Sequence, residues 1–319
     1  MATKKFRVVV PEKSLPPEEQ QAKINDVRKS IGSITSKFPV LCSDASILRY
    51  LKARNWNTNK ASKMLKETLK WRLDYKPEKI QWEDVAHEAK IGKLYRANYF
   101  DKRGRTVLIM RPGLQSKSST DVQIKYLVYC MERAILDLKQ DQDQMVWLID
   151  FQGWSMSSIS VKVTRETAHL LQERYPESLA LAILYDPPKV FESFWLLVKP
   201  FLEPKTYKKV KFVFGDNQQS RKFMEELFDM DKLESVFGGR NSIGFVYEDY
   251  AKRMMMEDKK ISDSTNNECK SPSPSSMIQE LQHSETNSDK TSEASDDETG
   301  SSTFLEEVEE KIEERNCKY

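Results

Sequence analysis

The chain has few of the residues that carry most protein catalysis. Its 319 residues include only three histidines, and it contains no GxSxG, GxGxxG, P-loop or HExxH motif. His87 and His169 stand in predicted helices without a matching acid and nucleophile, and His283 stands in a polar C-terminal tail. Gly238-Gly239 is more typical of a turn than of a phosphate-binding loop. The sequence therefore predicts that the protein is not an enzyme and has no catalytic residue, metal site or cofactor.

Long hydrophobic runs are missing as well. No run approaches the ~20 apolar residues that a membrane-spanning helix needs, and the start of the chain lacks the apolar core of a signal peptide. The four cysteines have none of the spacings typical of metal sites and fit a reducing compartment. They are Cys42, Cys130, Cys269 and Cys317. We therefore expect a cytoplasmic protein.

Charge is unevenly distributed along the chain, although the formal net charge is only +2. From Asp258 onward there are 7 basic and 16 acidic residues, a net charge of −9, which leaves +11 on the preceding part. A basic body suits an anionic partner such as a membrane surface or a nucleic acid, although ordinary solvated lysines give the same count. Nucleic-acid recognition also needs basic residues interleaved with exposed aromatics in a recognisable motif. Because none is found, we predict no nucleic-acid partner.

The first quarter of the chain has the pattern of a small helical bundle. Residues 1–13 are expected to form a flexible leader. Ser43-Asp44 is a good N-cap for one helix, and either Asn57 or Thr58 can cap the next, because side-chain oxygens of these residues accept hydrogen bonds from the first backbone N–H groups. We therefore predict a helical module over residues 14–79.

After residue 80 the pattern changes to apolar strands that alternate with helices. Four near-continuous apolar runs predict the buried strands Thr106–Met110, Met145–Phe151, Leu179–Tyr185 and Val210–Phe214. Such alternation is typical of an α/β fold with a mostly parallel sheet covered by helices, here over residues 80–257. Asp150, near the end of a strand, suits a functional acid and a strand-end capping group equally well.

The C-terminal tail over residues 258–319 is rich in Ser, Thr, Asp and Glu and nearly lacks large apolar residues. Such a composition cannot bury enough surface to offset the entropy of ordering, so we expect disorder. One segment, 304–315, has an apolar stripe that would fold against a protein partner or form a transient helix. For so short a segment the second interpretation is favoured.

The most apolar helix-length segment runs from Val190 to Leu202 and is followed by a polar turn and a strand. About 13 helical residues span roughly 20 Å, which is too short to cross a bilayer but long enough to close a pocket. Apolar residues leave this segment almost no polar face. They include Val190, Phe191, Phe194, Trp195, Leu197, Val198 and Phe201. One interpretation is a fully buried core helix. The other is a gate over an apolar pocket, with a cationic turn beside it for an anionic head group.

Several motifs, in order along the chain, resemble the CRAL-TRIO lipid-binding family. They are ILRYLKAR at 47–54, Trp71-Arg72, the strand from Met145, Tyr175-Pro176-Glu177, VKPFLEPKT at 198–206, and Phe237-Gly238-Gly239. The resemblance covers residues 44–249 and is greatest to the Sec-fourteen-like phosphatidylinositol transfer proteins. It implies a helical lobe beside a lobe with a β-sheet floor, and a pocket for one lipid under a gate helix from Val190 to Leu202.

The resemblance also implies roles for single residues. Those that match phosphatidylinositol head-group positions are Arg54, Glu177, Glu203, Thr206 and Lys209. Arg54 would reach the phosphate or the inositol, and Lys209 would be the counter-charge, with the Thr206 hydroxyl as a further partner. Glu177 and Glu203 would accept hydrogen bonds from inositol hydroxyls.

Two departures from the family pattern affect the expected ligands. Asn55 stands where relatives often have a lysine, which weakens one cationic contact. Met145 and Trp147 replace the hydroxyl pair that relatives use for the choline head group, whereas Tyr99 matches a choline-site position. Tyr175 would also line the pocket. The resemblance therefore implies phosphatidylinositol binding with weak or no phosphatidylcholine binding.

The function implied is that of a monomeric carrier. It would hold one phospholipid, as a ligand rather than a cofactor, and exchange it at cytosolic membrane surfaces in support of phosphoinositide signalling or vesicle trafficking. The expected partners are the lipid and an anionic membrane surface, bound transiently, and a protein partner for the tail is left open. Two alternatives stay open: a carrier of a sterol, isoprenoid or tocopherol-like hydrophobe, and a non-exchanging scaffold that acts through its tail.

Overall fold

The computed structural model describes residues 15–139, 142–158 and 160–268, and the chain divides into two compact units. The first unit contains the chain up to Pro77 together with Ala168–Ala180. Its complete helices are α1 (Pro17–Ile31), α2 (Asp44–Ala53) and α3 (Thr58–Tyr75). The N-terminal helices are thus confirmed. The unit also includes a later segment, which the sequence pattern assigned to the second domain.

The predicted N-caps set where two of these helices begin. The Ser43 side chain accepts a hydrogen bond from Ser46 N at 3.3 Å, and the Asn57 side chain accepts one from Lys60 N at 2.9 Å. The apolar faces of the three helices meet in one core, whose members include Ile24, Val27, Ile47, Leu51, Leu65 and Leu69. The caps therefore fix the helix starts that bring these faces together.

The second unit contains most of the sheet and of the remaining helices, apart from residues 168–180, which belong to the first unit. The helices are α4 (Trp82–Ala89), α5 (Thr120–Leu136), α6 (Val161–Arg174), α7 (Phe191–Val198), α8 (Pro204–Lys208), α9 (Gln218–Leu227) and α10 (Tyr247–Glu268). The strands are β1 (Leu94–Phe100), β2 (Thr106–Met110), β3 (Met145–Asp150), β4 (Leu179–Tyr185) and β5 (Val210–Val213). No helix within the described ranges is both long and apolar enough to cross a bilayer.

The sheet is mixed, with the strand order β1-β2-β3-β4-β5. The pairs β2–β3 and β4–β5 are parallel, as predicted, and β1 pairs antiparallel with β2. Strand β1 is an addition to the four predicted strands. Its sequence includes Arg96, which is buried and forms ion pairs with Asp137 and Glu257. A charged residue inside a strand interrupts the apolar run from which buried strands are predicted. Burial of Arg96 is tolerated because Asp137 and Glu257 neutralise its charge.

The register of the strands shows which residues share a face of the sheet. Thr106 on β2 faces α5, because its hydroxyl donates to the Ala134 carbonyl oxygen at 3.3 Å. The register places Leu108 of β2 beside Trp147 of β3. Since side chains alternate along a strand, Trp147 lies on the same face as Thr106, and Asp150 lies on the opposite face.

Helix α10 corrects the predicted start of the C-terminal tail. The helix continues past Asp258 to Glu268, and Asp258 is buried. Its carboxylate accepts hydrogen bonds from Trp82 N at 2.6 Å and Arg133 Nε at 2.7 Å. The tail does not begin at 258, because this acidic residue is neutralised and anchored in the second unit. The predicted leader and the 304–315 segment lie outside the described residues.

Candidate functional site

The predicted gate is shorter than the sequence suggested. Helix α7 has 8 residues, about 12 Å at the usual rise, and a 3₁₀ turn, Lys199–Phe201, follows it. Leu202 then adopts an extended backbone. Pro200 lies in the 3₁₀ turn, where its ring removes an N–H donor and prevents the α-helix from continuing. The predicted single helix from Val190 to Leu202 is therefore wrong in length, although its apolar centre is helical.

One side of α7 is fixed by aromatic contacts. Phe191 is buried, and its ring centroid lies 4.5 Å from Phe151 and 5.3 Å from Trp154. Trp195 packs edge-on to Phe212 of β5 at 5.7 Å. We call this set the aromatic cluster; it comprises Phe151, Trp154, Phe191, Phe194, Trp195 and Phe212. Edge-on aromatic pairs contribute ~0.5–1.5 kcal/mol each beyond the burial of their surface, so the cluster holds α7 closed.

The aromatic cluster rests on one face of the sheet, which we call the gate face. Ile149 and Leu184 of the sheet pack with Phe191. Met145 and Trp147 precede Ile149 by four and two residues on β3, so they lie on the same face. Both are buried. Met145 and Trp147 therefore share the face of β3 on which Ile149 packs with Phe191.

The other side of α7 is exposed and carries the apolar Leu196 together with the polar Glu192 and Ser193. Leu196 is 69% exposed and Val190, just before the helix, is 47% exposed. Val198 and Phe201 are half-buried, while the Leu197 side chain lies outside the described structure. A buried core helix has no such exposed side, so this first interpretation of the segment is disfavoured. A helix that can face either protein or lipid fits the gate interpretation.

Three of the predicted head-group residues lie together directly after the gate. The predicted polar turn is the short helix α8, with Glu203 at its N-cap and Lys209 at its C-cap. Thr206 N donates to Glu203 O at 2.8 Å, and Lys209 N donates to Thr206 O at 3.0 Å. Lys209 O accepts from Ala182 N of β4 at 2.9 Å. A polar sequence becomes helical here because Pro204 occupies the first turn, where its fixed backbone angle favours a helix.

Arg54 and Glu177 belong to the first unit. Arg54 is the C-cap of α2, and its guanidinium forms a 3.0 Å ion pair with the Glu173 carboxylate. Sequence reasoning missed Glu173, since no local signal connects two residues 119 positions apart. Glu177 has a left-handed backbone with φ 57°, and nearby Tyr175 is buried edge-on to Trp71 at 6.2 Å.

Tyr99 is separated from the gate face. Its hydroxyl donates to Glu234, and its ring lies edge-on to Phe228 at 6.5 Å. Glu234 lines a cavity with Tyr95 and Asp150 on the face of the sheet opposite the gate. Burial and the Glu234 charge raise the pKa of Tyr99 far above its usual range. The structure therefore does not bring Tyr99 together with Met145 and Trp147, contrary to the placement that the resemblance implied.

Known proteins match most of the described chain. Residues 90–239 match the family model "CRAL/TRIO domain", and residues 4–67 match "CRAL/TRIO, N-terminal domain". The phosphatidylinositol transfer protein PDR17 of Saccharomyces cerevisiae is 30% identical over 68% of this chain and 62% of its own length. The SEC14 cytosolic factor of Kluyveromyces lactis is 27% identical over 70% of this chain and 79% of its own length.

A solved structure with low sequence identity to this chain has the same fold. The crystal structure of Sfh5 superposes with a TM-score of 0.59 at 16% identity, covering 80% of this chain and 100% of that one. Some relatives are much longer: the chain spans 19% of a CRAL-TRIO domain-containing protein of Schizosaccharomyces pombe, with 31% identity, and 62% of PDR17. The two matched domain models and the shared fold agree with the motif order in the sequence. The chain therefore belongs to the CRAL-TRIO family, and phosphatidylinositol transfer proteins of the Sec-fourteen-like type are among its homologues.

Proposed function

We propose that this protein is a non-enzymatic carrier that holds one phosphatidylinositol molecule over the gate face and exchanges it at cytosolic membrane surfaces. The observation that carries the proposal is the pairing of α7 with α8. Helix α7 is apolar on its buried side, and its exposed side bears Leu196 together with Glu192 and Ser193. The turn that follows it directly bears a carboxylate, a hydroxyl and an ammonium group, from Glu203, Thr206 and Lys209. The similarity to PDR17, a phosphatidylinositol transfer protein, supports the same ligand.

The gate face supplies the apolar part of the site. Each buried CH₂ group of an acyl chain contributes about 0.8 kcal/mol, so two chains need a long apolar surface that matches the bilayer in affinity. Met145, Trp147 and Ile149 present such a surface on β3. Opening of α7 at the membrane would remove the barrier to exchange, and its closure would shield the chains from water.

The polar part of the proposed site recognises the inositol phosphate. Lys209 supplies a positive charge and Thr206 a hydroxyl for the phosphate, while Glu203 accepts hydrogen bonds from ring hydroxyls. Arg54 and Glu177 stay proposed as head-group residues because they match the head-group positions of the family. Met145 and Trp147 offer no hydroxyl donors, so choline lipids are expected to bind weakly or not at all.

The exposed side of α7 is proposed to meet the membrane. Leu196 can enter the acyl boundary, and Lys199, Lys205 and Lys208 follow it closely in the chain. Apolar insertion together with cations near anionic lipids is the usual composition of an interfacial segment. Contact with the bilayer would replace the contacts of α7 with the protein. The protein would thus act as a cytoplasmic, transiently membrane-associated monomer.

Transfer of phosphatidylinositol between vesicles tests this proposal. Donor vesicles with labelled phosphatidylinositol are incubated with the protein and unlabelled acceptors, and the transfer rate is measured. Lys209→Ala and Thr206→Ala are expected to lower the rate at least tenfold. Lys222→Ala is the matched control, because Lys222 is an exposed lysine on α9 that has no role in the proposed site. Unchanged transfer by both variants would show that α8 does not bind the head group.

A second candidate is a carrier of a different hydrophobe on the same fold. It is favoured by the large apolar side chain of Trp147 on the gate face, which leaves this end of the site without a polar partner for a head group. Mass spectrometry of the lipid that co-purifies with the full chain separates the two. A sterol or isoprenoid in place of phosphatidylinositol would select this candidate.

A further inference from the structure

A cavity lies at the carboxyl ends of β4 and β5, on the face of the sheet opposite the gate face. Phe212 of β5 packs on Trp195 of α7, so the next residue, Val213, lies on the opposite face. The register places Tyr185, the last residue of β4, beside Val213. Both residues line a cavity of ≈ 310 Å³, together with residues of α9 and of the segment 230–238. The sheet therefore separates this cavity from the gate face.

The walls of the cavity are mostly apolar. Met224 of α9, Met230 and Phe237 line it with Val213, and the Phe237 ring lies edge-on to that of Tyr185 at 5.5 Å. All the residues that line it belong to the second unit. Cavities of roughly 300–1,000 Å³ with apolar walls and a few polar groups are typical of small-molecule sites.

The Tyr185 hydroxyl is available to a molecule in this cavity. Tyr185 is only 7% exposed, and its hydroxyl forms no hydrogen bond with the described residues. It is not one of their unpaired side-chain atoms that are shut off from solvent. Burial and the Asp186 charge raise the pKa of Tyr185, so the hydroxyl stays protonated. Because a buried tyrosine hydroxyl usually has a partner, this one indicates a ligand that accepts its proton in a hydrogen bond.

Two glycines leave the room that this hydroxyl occupies. An added Cβ would lie 2.7 Å from the Tyr185 oxygen at Gly215 and 3.1 Å from it at Gly238. Gly238 also has a φ of 82°, a backbone conformation that favours glycine. Phe237 and Gly238 of the Phe237-Gly238-Gly239 motif, to which the proposed function gives no role, thus both belong to the cavity.

Arg221 and Ser220 on α9 place further donors at the cavity. Arg221 Nε donates to Gly215 O at 2.7 Å, which holds the guanidinium beside the cavity. The other nitrogens of this guanidinium donate to none of the described residues. Ser220 Oγ accepts from Phe214 N at 3.2 Å, so its own proton remains to be donated. Three side chains therefore offer donors to one cavity.

The acids near these donors are offset by other groups. Asp186 Oδ1 accepts from Gly215 N at 2.8 Å, and Asp186 does not line the cavity. Glu225 does line it, but Lys102 Nζ donates to the Glu225 carbonyl oxygen at 2.6 Å and so brings a positive charge beside it. The donors thus favour a ligand with acceptor oxygens, and the walls favour an apolar body.

We propose that this cavity binds a small carboxylate with an apolar body, such as a branched or aromatic acid. The Arg221 guanidinium and the Tyr185 hydroxyl hold the carboxylate, because hydrogen bonds between charged groups are about twice as strong as neutral ones. Met224, Met230 and Phe237 enclose the apolar body. The site is distinct from the gate face, so the proposal does not depend on which lipid the protein carries.

Methyl NMR of the full chain tests the proposal and locates the ligand. The methionine methyl groups are labelled with ¹³C, and isovalerate, phenylacetate and indole-3-acetate are titrated separately, because they fill the cavity to different extents. At least one acid is expected to shift the signals of Met224 and Met230 and to leave that of Met145 on β3 unchanged. Phenylacetamide, which has nearly the same shape as phenylacetate but no charge, is expected to bind about tenfold more weakly.

Three variants test the donors. Arg221→Gln is expected to weaken binding about tenfold, and Tyr185→Phe, which removes only the hydroxyl, about fivefold. Lys222→Gln, at the exposed neighbour of Arg221 on α9, should change it by less than about twofold.

The wild-type titrations decide the proposal even if a variant fails to fold. A shift confined to Met145 would place the acids at the gate face. No shift with any of the three acids would mean that the cavity holds only water, and equal binding of phenylacetamide would mean that the charge is not recognised. Each of these results overturns the proposal.

Discussion

Arg54, a proposed head-group residue, already forms an ion pair within the protein. Its guanidinium is proposed to meet the lipid head group, yet in the structure it lies 3.0 Å from Glu173 with both side chains largely shielded, at 18% and 27% exposure. An anionic phosphate must compete with this carboxylate for the same cation. Under the proposed function, the Arg54–Glu173 pair would therefore set part of the affinity for the ligand.

Replacing the competing carboxylate should strengthen lipid binding. Glu173→Gln keeps the shape of the side chain but removes its charge. We expect a rise in phosphatidylinositol affinity of about 2- to 5-fold, since a partly exposed ion pair contributes ~0.2–1 kcal/mol. Binding is measured with a fluorescent phosphatidylinositol, and Glu67→Gln, an exposed acid on α3, is the control. Weaker binding by Glu173→Gln would show that this carboxylate positions Arg54 instead of competing with the lipid.

Phe191 makes the most aromatic contacts among the residues that hold α7 against the sheet. It is 5% exposed and contacts Phe151, Trp154, Phe194, Trp195 and Phe212. Phe191→Ala should lower the free energy of unfolding by about 3 kcal/mol, because it leaves a cavity among rings. Leu196→Ala on the exposed side of α7 should change it by less than about 0.5 kcal/mol.

Urea denaturation followed by tryptophan fluorescence measures both variants. If the two losses of stability are equal, α7 is not held by its aromatic side in solution. A loss confined to Phe191→Ala, together with weaker vesicle binding by Leu196→Ala, would separate the closing role of one side from the membrane role of the other.

At the scale of helices and strands, the sequence predicted those elements that are marked by a local pattern, such as an apolar run or an N-cap residue. Strands β2 to β5 are apolar runs, and Ser43 and Asn57 cap helices as expected. Strand β1 was missed because Arg96 interrupts it, and its ion partner Glu257 is 161 residues away. The gate was predicted from hydropathy, but its end at Pro200 and the helix α8 depend on proline geometry. Long-range ion pairs carry no sequence pattern, so Glu173 and Asp258 could not be found in this way.

Helix α10 is anchored by one buried acid. Asp258 accepts hydrogen bonds from α4 and α5 through Trp82, Tyr129 and Arg133. Asp258→Ala leaves the Arg133 charge buried without its counter-ion, which costs ~3–5 kcal/mol. Asp263→Ala, an exposed acid on the same helix, should have little effect. Urea unfolding of the two variants measures the difference, and equal stabilities would mean that α10 is held by its apolar contacts alone.

At the scale of the whole molecule, the two parts of the chain carry net charges of opposite sign. The residues from 269 onward include 13 acidic and 5 basic residues, a net charge of −8. With +2 on the whole chain, residues 1–268 carry +10. An acidic segment tethered to a basic body weakens the attraction of that body to anionic lipids. At 0.1 M salt, interactions between exposed charges more than about 10 Å apart are largely screened, so salt reduces this effect.

Removal of residues 269–319 should therefore increase binding to anionic membranes. We expect the truncated chain to sediment with phosphatidylserine-containing vesicles at a several-fold higher affinity at low salt, because each basic residue near such a surface contributes ~1 kcal/mol. The gain should shrink as NaCl is raised and should be absent with neutral phosphatidylcholine vesicles. The matched control keeps the full length but replaces the acidic residues after 269 with Gln and Asn, so that length and charge are separated. If this neutralised chain binds like the wild type while the truncated chain binds more tightly, the tail acts by occupying space, and the electrostatic account is wrong.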